Sequence, residues 1–543
     1  FVLMYHPTCR SQSDWEIQDK IASTETPARP TVLAIHELTH QWFGDIVTIK
    51  DWSHLYLHEG FATYFEYAWF EHEGGKDLYD YYRYVDLLEY MDVDKNLYRR
   101  PIVTNIYREP NDLVDSGHVY SKAGLVIAHA RDILGDEGFR DSLSEFIAKN
   151  AYNSVQTEHL VNAIRSTTGK NLTKFFDQWV YNAGYPELKV SVHYDAKKKV
   201  EHVRVVQMSK MDDKNLWDFP VTIALTTRNG KETFHCVEIS KREHRFAFPS
   251  SGEPSNVVFD HSNVVIKTLT MQKPRAMWLH QLKHDSKAIQ RIYAAQELAK
   301  IPSMEDVFAI LNQVENDSFW AARAECALTL KTALFPEVAE KLMQLYGKEK
   351  DHRVQRAMVE TLSFFRFDNV FEFLKKITER RDSYIVPAEA FRGMGRWKDN
   401  EDIAFMLKGV DRDSWMDLIP NGVVGGLAAI QSEKALKTLI SLTNPKYSDK
   451  VRMTAARAIA LVGGKREEAM NALLELTKDS YALVQLAAVA ALGQAGDERA
   501  IPALEKFTEG HRDGRVKRTA FDSIRMINGG IDLPPYKEEE KKK

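Results

Sequence analysis

Three periodicities succeed one another along the chain. Up to about residue 180, apolar residues recur at helical spacing in runs closed by glycine. The stretch "ARPTVLAIHELTHQWFG" (28–44) predicts a helix, with Pro30 near its start and Gly44 at its end. "EGFATYFEYAWFEHEGG" (59–75) predicts a second, closed by Gly74 and Gly75. "YSKAGLVIAHARDILG" (120–135) predicts a third, stopped at Gly135, and two more follow in 157–184. From about 185 to 270 the period shortens to two. "LKVSVHY", "HVRVVQM", "FPVTIALTT", "ETFHCVEI", "HRFAF" and "NVVFD" alternate apolar and polar residues, with turn-formers such as Asn229-Gly230 between them. This predicts a small antiparallel β-sandwich.

Beyond about residue 275 the helical period returns, now inside a longer repeat. "DHRVQRAMVETL", "DKVRMTAARAIALVG" and "DSYALVQLAAVAALG" resemble one another, and Asp285, Asp317, Asp351, Asp382, Asp413, Asp449, Asp479 and Asp513 recur at similar intervals. Each aspartate is an N-cap candidate before a helix that buries small residues. Such self-similarity is the signature of an α-solenoid of HEAT type. A scaffold or a concave wall is its expected role, with an unspecified partner.

Composition narrows the functional classes. The 543 residues exceed one ordinary core, so several domains are expected. A hydrophobic share of 44% with 28% charged residues is that of a globular protein, and a net charge of −4 offers no field for nucleic acid or anionic membrane. No apolar run reaches the roughly 18 residues of a spanning helix. Cys9, Cys236 and Cys326 are isolated and form no CxxC pair, which fits a reducing, cytoplasmic setting. The chain starts at Phe1 with "FVLMYHP", expected to be a strand entered part-way through a longer protein, so secretion or anchoring signals lie out of view. The closing "KEEEKKK" is expected to be disordered.

Candidate chemistry is concentrated in "AIHELTHQWFGD" (34–45). His36 and His40 are four residues apart and share one helix face. Zinc binds imidazole nitrogen at about 2.0–2.1 Å, so one helix can supply two ligands. Glu37 lies about 100° further round, near the metal without being forced to bind it, which suits a general base. Glu59 follows His40 after 18 intervening residues, room for a loop and the start of a second helix. It is the third-ligand candidate; the plain alternative is a glutamate favouring a helix N-terminus. Glu66, two turns further along the same face, is the candidate carboxylate for the second ring nitrogen of His40, or else a solvated glutamate. Val32, Leu33, Ile35, Leu38, Trp42 and Phe43 make the first helix apolar nearly all round, which predicts burial. Buried His and Glu cost several kcal/mol unless paired or metal-bound.

At these residues the sequence resembles a known family. "HELTHQWFGD…LYLHEGFATYFEY" is similar to the gluzincin aminopeptidases of peptidase family M1, the group of aminopeptidase N and leukotriene hydrolase. His58 stands where that family carries Asn beside the glutamate ligand. "HVYSKAGLVIAHARDILG" resembles the family helix that bears a catalytic tyrosine before Lys-Gly; Tyr120 takes that place, followed by Lys122 and Ala123-Gly124. "FFDQWVYNAGYPELKV" resembles the family junction between catalytic domain and β-sandwich.

The resemblance implies a multidomain, mainly α protein. Residues 1–183 would be a thermolysin-like zinc peptidase domain lacking its N-terminal part, 184–272 the sandwich, 273–530 the HEAT-like solenoid and 531–543 a charged tail. It implies one zinc ion and no other cofactor, held by His36, His40 and Glu59, with Glu37 as base and Tyr120 as oxyanion donor. Substrates would be peptides, cleaved at the N-terminal bond. The family's G-x-M-E-N segment, which holds the substrate α-amine, is not found in the chain. A non-catalytic scaffold with the same fold is the alternative, and a related hydrolase acting on a non-peptide substrate such as an epoxide is a further one.

Overall fold

A computed structural model describes residues 21, 25, 29–107, 110–208, 216–397 and 402–529. The opening "FVLMYHP", Cys9 and the charged tail lie outside the described residues. Two compact units emerge, one of residues 29–313 with 317–322 and one of 323–529 with 314–316.

In the first unit, helix α1 (Arg29–Thr39) is followed by strand β1 (Val47–Ile49) and the long helix α2 (Tyr56–Asn96). Helix α1 ends at Thr39 rather than near Gly44. Residues 40–44 continue as tight turns, with Trp42 and Phe43 both donating to the Thr39 carbonyl at 3.0 Å. Gly44 is needed there, because a Cβ would lie 2.8 Å from the His40 carbonyl oxygen. Helix α2 does not stop at the Gly74-Gly75 pair. It breaks at Gly75, where φ is 74°, and resumes to Asn96. A π-helical turn (Ser116–Lys122) leads into α3 (Ala123–Asn150), which likewise passes through its glycine, Gly135, at φ 75°. Strand β2 (Asn153–Val155) pairs in parallel with β1, a pairing that the hydrophobic pattern does not show. Helices α4 (Thr157–Thr168) and α5 (Thr173–Trp179) complete this part.

Seven strands follow: β3 (Glu187–Asp195), β4 (Val200–Gln207), β5 (Phe219–Thr226), β6 (Glu232–Ile239), β7 (Glu243–Pro249), β8 (Asn256–Phe259) and β9 (Thr268–Gln272). They form two sheets, ordered β7-β4-β3-β9 and β6-β5-β8. The expected antiparallel sandwich is therefore mixed, since β3 and β9 run parallel. Their inward residues, among them Val190, Val203, Val221 and Ile223, join the same buried core as Phe43, Phe61 and Phe146 of the helical part. Phe43 stacks on Phe61 with centroids 4.1 Å apart. Each such ring withdrawn from water contributes about 1.5–3 kcal/mol, so this stack fixes the start of α2 against the end of α1.

Glu201 interrupts the inward row of β4. It is fully buried, and neither carboxylate oxygen makes a hydrogen bond of ordinary geometry among the described residues, the backbone N–H of His193 being its one weak partner there. Burial pushes its carboxyl up to about 7. A carboxyl raised in the folded state destabilises progressively as pH rises from its unfolded value through its folded one, and costs nothing below both. Glu201→Gln is therefore expected to raise the melting temperature at pH 8 and to leave it nearly unchanged at pH 4.5. An equal shift at both values would assign the effect to packing instead.

The second unit is helical. It runs from residues 323–329 through helices such as His352–Leu362, Asp449–Gly463 and Ala482–Ala495 to the helix Gly514–Ile527. The recurrent aspartates have more than one role. Asp351 and Asp513 are N-caps, accepting from the N–H two residues on. Asp449 sits one residue inside its helix, with Ser448 as the cap. Asp285, Asp317 and Asp479 also accept from the N–H two residues on, but ahead of the helix proper. Two of them take an arginine from the helix before the preceding one as well, Arg291 on Asp317 and Arg452 on Asp479, at 2.7 and 2.8 Å. Asp382 is paired with Arg380. The repeat thus marks helix-to-helix ties as much as caps.

Candidate metal centre

Helix α1 crosses the start of α2 and brings His36, His40 and Glu59 together; one ligand atom from each lies within 4.8 Å of the others. Glu59 Oε2 is 3.2 Å from His36 Nε2 and 3.4 Å from His40 Nε2. A tetrahedral ion with bonds of about 2.0–2.1 Å needs neighbouring ligand atoms about 3.3–3.4 Å apart, and Glu59 stands at that spacing from both imidazoles. The imidazole rings meet edge-to-face with centroids 5.0 Å apart.

The second ring nitrogens are held elsewhere, which leaves both Nε2 atoms aimed at Glu59. His36 Nδ1 lies 2.6 Å from Glu66 Oε1, and His40 Nδ1 lies 3.1 Å from the Phe43 carbonyl oxygen. Glu66 thus serves His36, whereas the sequence pattern pointed to His40. The ring of His36 lies between the two glutamates of α2. His40, one turn on, comes instead against the reversing chain at Phe43. Such outer partners fix the tautomer and orientation of a ligating imidazole.

Burial disfavours charge on His36, but its hydrogen bonds to Glu59 and Glu66 outweigh that and raise it to about 9. His40 is raised against its burial too, by Glu59. Glu59 is partly buried, yet the two imidazoles hold its carboxyl down at about 2. Glu59 and Glu66 therefore favour positive charge on the two imidazoles.

Glu37 follows His36 on α1, half-buried, and forms no hydrogen bond or ion pair with another described residue. Its charge acts on the phenol of Tyr120. Tyr120 stacks on the His36 ring at 5.9 Å, the planes 15° apart. Burial and the charge of Glu59 push the phenol up, so that Tyr120 remains a hydrogen-bond donor. All six residues singled out from the sequence are thus within one neighbourhood. His58 lies beside them, its Nε2 buried without a described partner, and burial presses the ring down to about 4.

The apolar helix α1 is less buried than its composition predicts. Leu38 and Trp42 are each 44% exposed and, with Ile35, Phe65 and Trp69, line an open groove of about 830 Å³. None of His36, His40 and Glu59 lines this groove.

Comparison with known proteins agrees with the geometry. Residues 13–179 match the peptidase family M1 domain. This segment of the chain is similar to an M1 domain. Residues 439–525 match HEAT repeats, in the second unit. Aminopeptidase 2 of Candida albicans is 28% identical over 249 residues, 45% of this chain and 26% of that protein. Aminopeptidase N of Lactococcus lactis is 29% identical over 212 residues, 37% of this chain and 24% of that protein. These matched regions span about a quarter of each relative's length. In fold, the chain is similar to a crystal structure of Legionella pneumophila aminopeptidase A in complex with aspartic acid. The TM-score is 0.69 at 17% identity, over 91% of this chain and 66% of that one. Among the described residues, no helix is long and apolar enough to cross a membrane.

Sequence reasoning missed the surroundings of Tyr120 in the M1-like segment. Asp115, Arg100 and His118 form a connected group behind it, and Lys122 is fully buried beside it. "DSGHVYSK" does place a capping-type aspartate ahead of Tyr120, the one local signal available.

Proposed function

We propose that the M1-like domain binds one zinc ion through His36, His40 and Glu59 and hydrolyses the N-terminal bond of peptides. The observation that carries this is the convergence of three donors, with Glu59 at tetrahedral spacing from both imidazoles and Glu37 and Tyr120 close by. Zinc in such a site supplies a Lewis acid that polarises a carbonyl and acidifies water. Glu37 takes the proton from the attacking water and delivers it to the leaving amine, the work of a positioned carboxylate. Tyr120 donates its phenolic hydrogen to the oxygen that becomes negative as the scissile carbon turns tetrahedral. Glu66 and the Phe43 carbonyl hold the two imidazoles in the tautomer that presents Nε2. Exopeptidase character is inferred from the aminopeptidases that the domain resembles. Within this reading, residues 1–183 are the peptidase segment, 184–272 the sandwich and 273–530 the solenoid.

Metal analysis with an activity assay tests the proposal. Dialysed against zinc, the chain is expected to retain one ion per molecule and to hydrolyse aminoacyl anilides. Chelation should abolish turnover and added zinc restore it. A folded protein that retains no zinc would overturn the reading and favour the scaffold alternative.

A further inference from the structure

The segment that carries Tyr120 is built unlike the helices around it. Residues Ser116–Lys122 form a π-helical turn, in which the Ala123 N–H reaches back five residues to the His118 carbonyl. Such turns are rare and concentrate at functional sites. This one is tied by buried polar contacts at both ends. At its start, Asp115 accepts from the His118 N–H at 2.6 Å, and its carboxylate lies 2.9 Å from the His118 ring Nδ1. Arg100 donates to the same carboxylate. The guanidinium also donates to the carbonyls of Pro101, Ile102 and Leu113, at 3.0, 3.1 and 3.0 Å. His118 is fully buried, with Tyr98 stacked at 5.4 Å and Tyr90 edge-on at 5.6 Å. At the far end, the fully buried Lys122 donates to the Asn182 carbonyl at 3.2 Å, its nitrogen 5.3 Å from the Tyr90 ring centre. Between them Gly117 lets the turn press on α2, since a Cβ there would lie 2.7 Å from that of Val93.

Buried ion pairs seldom repay their desolvation as stability. What this arrangement does supply is a fixed path for the seven residues Ser116–Lys122. A phenol that must meet a developing oxyanion gains from that, because a displacement of about 1 Å can cost on the order of 10²-fold in rate.

We infer that Asp115, clamped by Arg100 and His118, is a positioning residue that sets the place of the Tyr120 phenol over the metal centre. The inference rests on the oxyanion role proposed for Tyr120. It implies that Asp115 acts on catalysis only through that phenol and touches neither zinc binding nor substrate.

A double-mutant cycle between Asp115→Asn and Tyr120→Phe tests it on the zinc-loaded chain. Asp115→Asn alone is expected to lower kcat for an aminoacyl anilide by roughly 10–100-fold, with KM and zinc affinity within about twofold. In the Tyr120→Phe background the same change should cost less than about threefold, because nothing is left to misplace. Arg100→Met, which removes the counter-charge from the other side, should behave the same way. The cycle is also read without turnover, in the Kd of a phosphinic pseudopeptide whose tetrahedral oxygens take the phenol's hydrogen bond. Equal losses in both Tyr120 backgrounds, loss of zinc, or no loss in either single variant would overturn the inference. A Tyr120→Phe variant with undiminished rate and inhibitor affinity would instead overturn the oxyanion role itself.

Discussion

Replacing Glu37 with glutamine is expected to lower kcat for an aminoacyl anilide by about 10²–10⁴-fold, the range a positioned general base contributes. Zinc content should not change. Glu37 is not among the three converging donors, and its side chain has no hydrogen bond or ion pair to another described residue that the amide would break. Glutamine keeps the volume and one acceptor oxygen but cannot take a proton from water. The fold should be untouched, because Glu37 is half-buried on a short helix whose packing is set by its neighbours. Steady-state kinetics with metal analysis on the same preparation decides the matter. A variant with wild-type turnover would remove Glu37 from the mechanism. A variant that lost zinc would make it part of the metal site instead.

Replacing Glu59 with glutamine is expected to weaken zinc binding by more than about 100-fold, whereas Glu66→Gln should cost only about 10–100-fold, the usual effect of an outer partner. The contrast follows from the contacts. Glu59 faces both imidazole Nε2 atoms, at 3.2 and 3.4 Å, and brings the one formal negative charge among the three donors. Removing it leaves two neutral rings and no counter-charge for a dication. Glu66 touches only Nδ1 of His36, so its loss frees one ring to rotate but keeps all three donors. Competition with a chromophoric zinc chelator measures both constants. Equal losses in the two variants would mean that Glu66, too, contacts the metal.

Much of the fold was legible in local periodicity. The switch from a helical period to alternation near residue 185, and back near 275, is where the strands of the two larger sheets begin and end. Glycines were harder to interpret. Gly75 and Gly135 break their helices, as a residue with φ near +75° must, but neither ends one, because packing on both sides carries the helix on. The parallel β3–β9 pair was hidden because the two strands are some 80 residues apart and alternate like the rest. Burial of α1 was overestimated for a related reason: an apolar face shows what could be covered, not whether an element lies over it.

Within the candidate site the same division holds. Spacing alone put His36 and His40 on one face with Glu37 to the side, because four residues make nearly one helical turn. The donor chemistry of the residues pointed to zinc. The partner of Glu66 could not be read in this way, and Nδ1 of His36 takes it while His40 turns to the Phe43 carbonyl. Nor could the π turn beneath Tyr120 or its tether from Asp115 to Arg100. By itself, the sequence determined the kind of the longer elements and the residues with donor chemistry, since both depend on intervals shorter than one helix. Only the tertiary structure decided which of those residues meet, because that depends on how separate elements cross, and no single element's period encodes it.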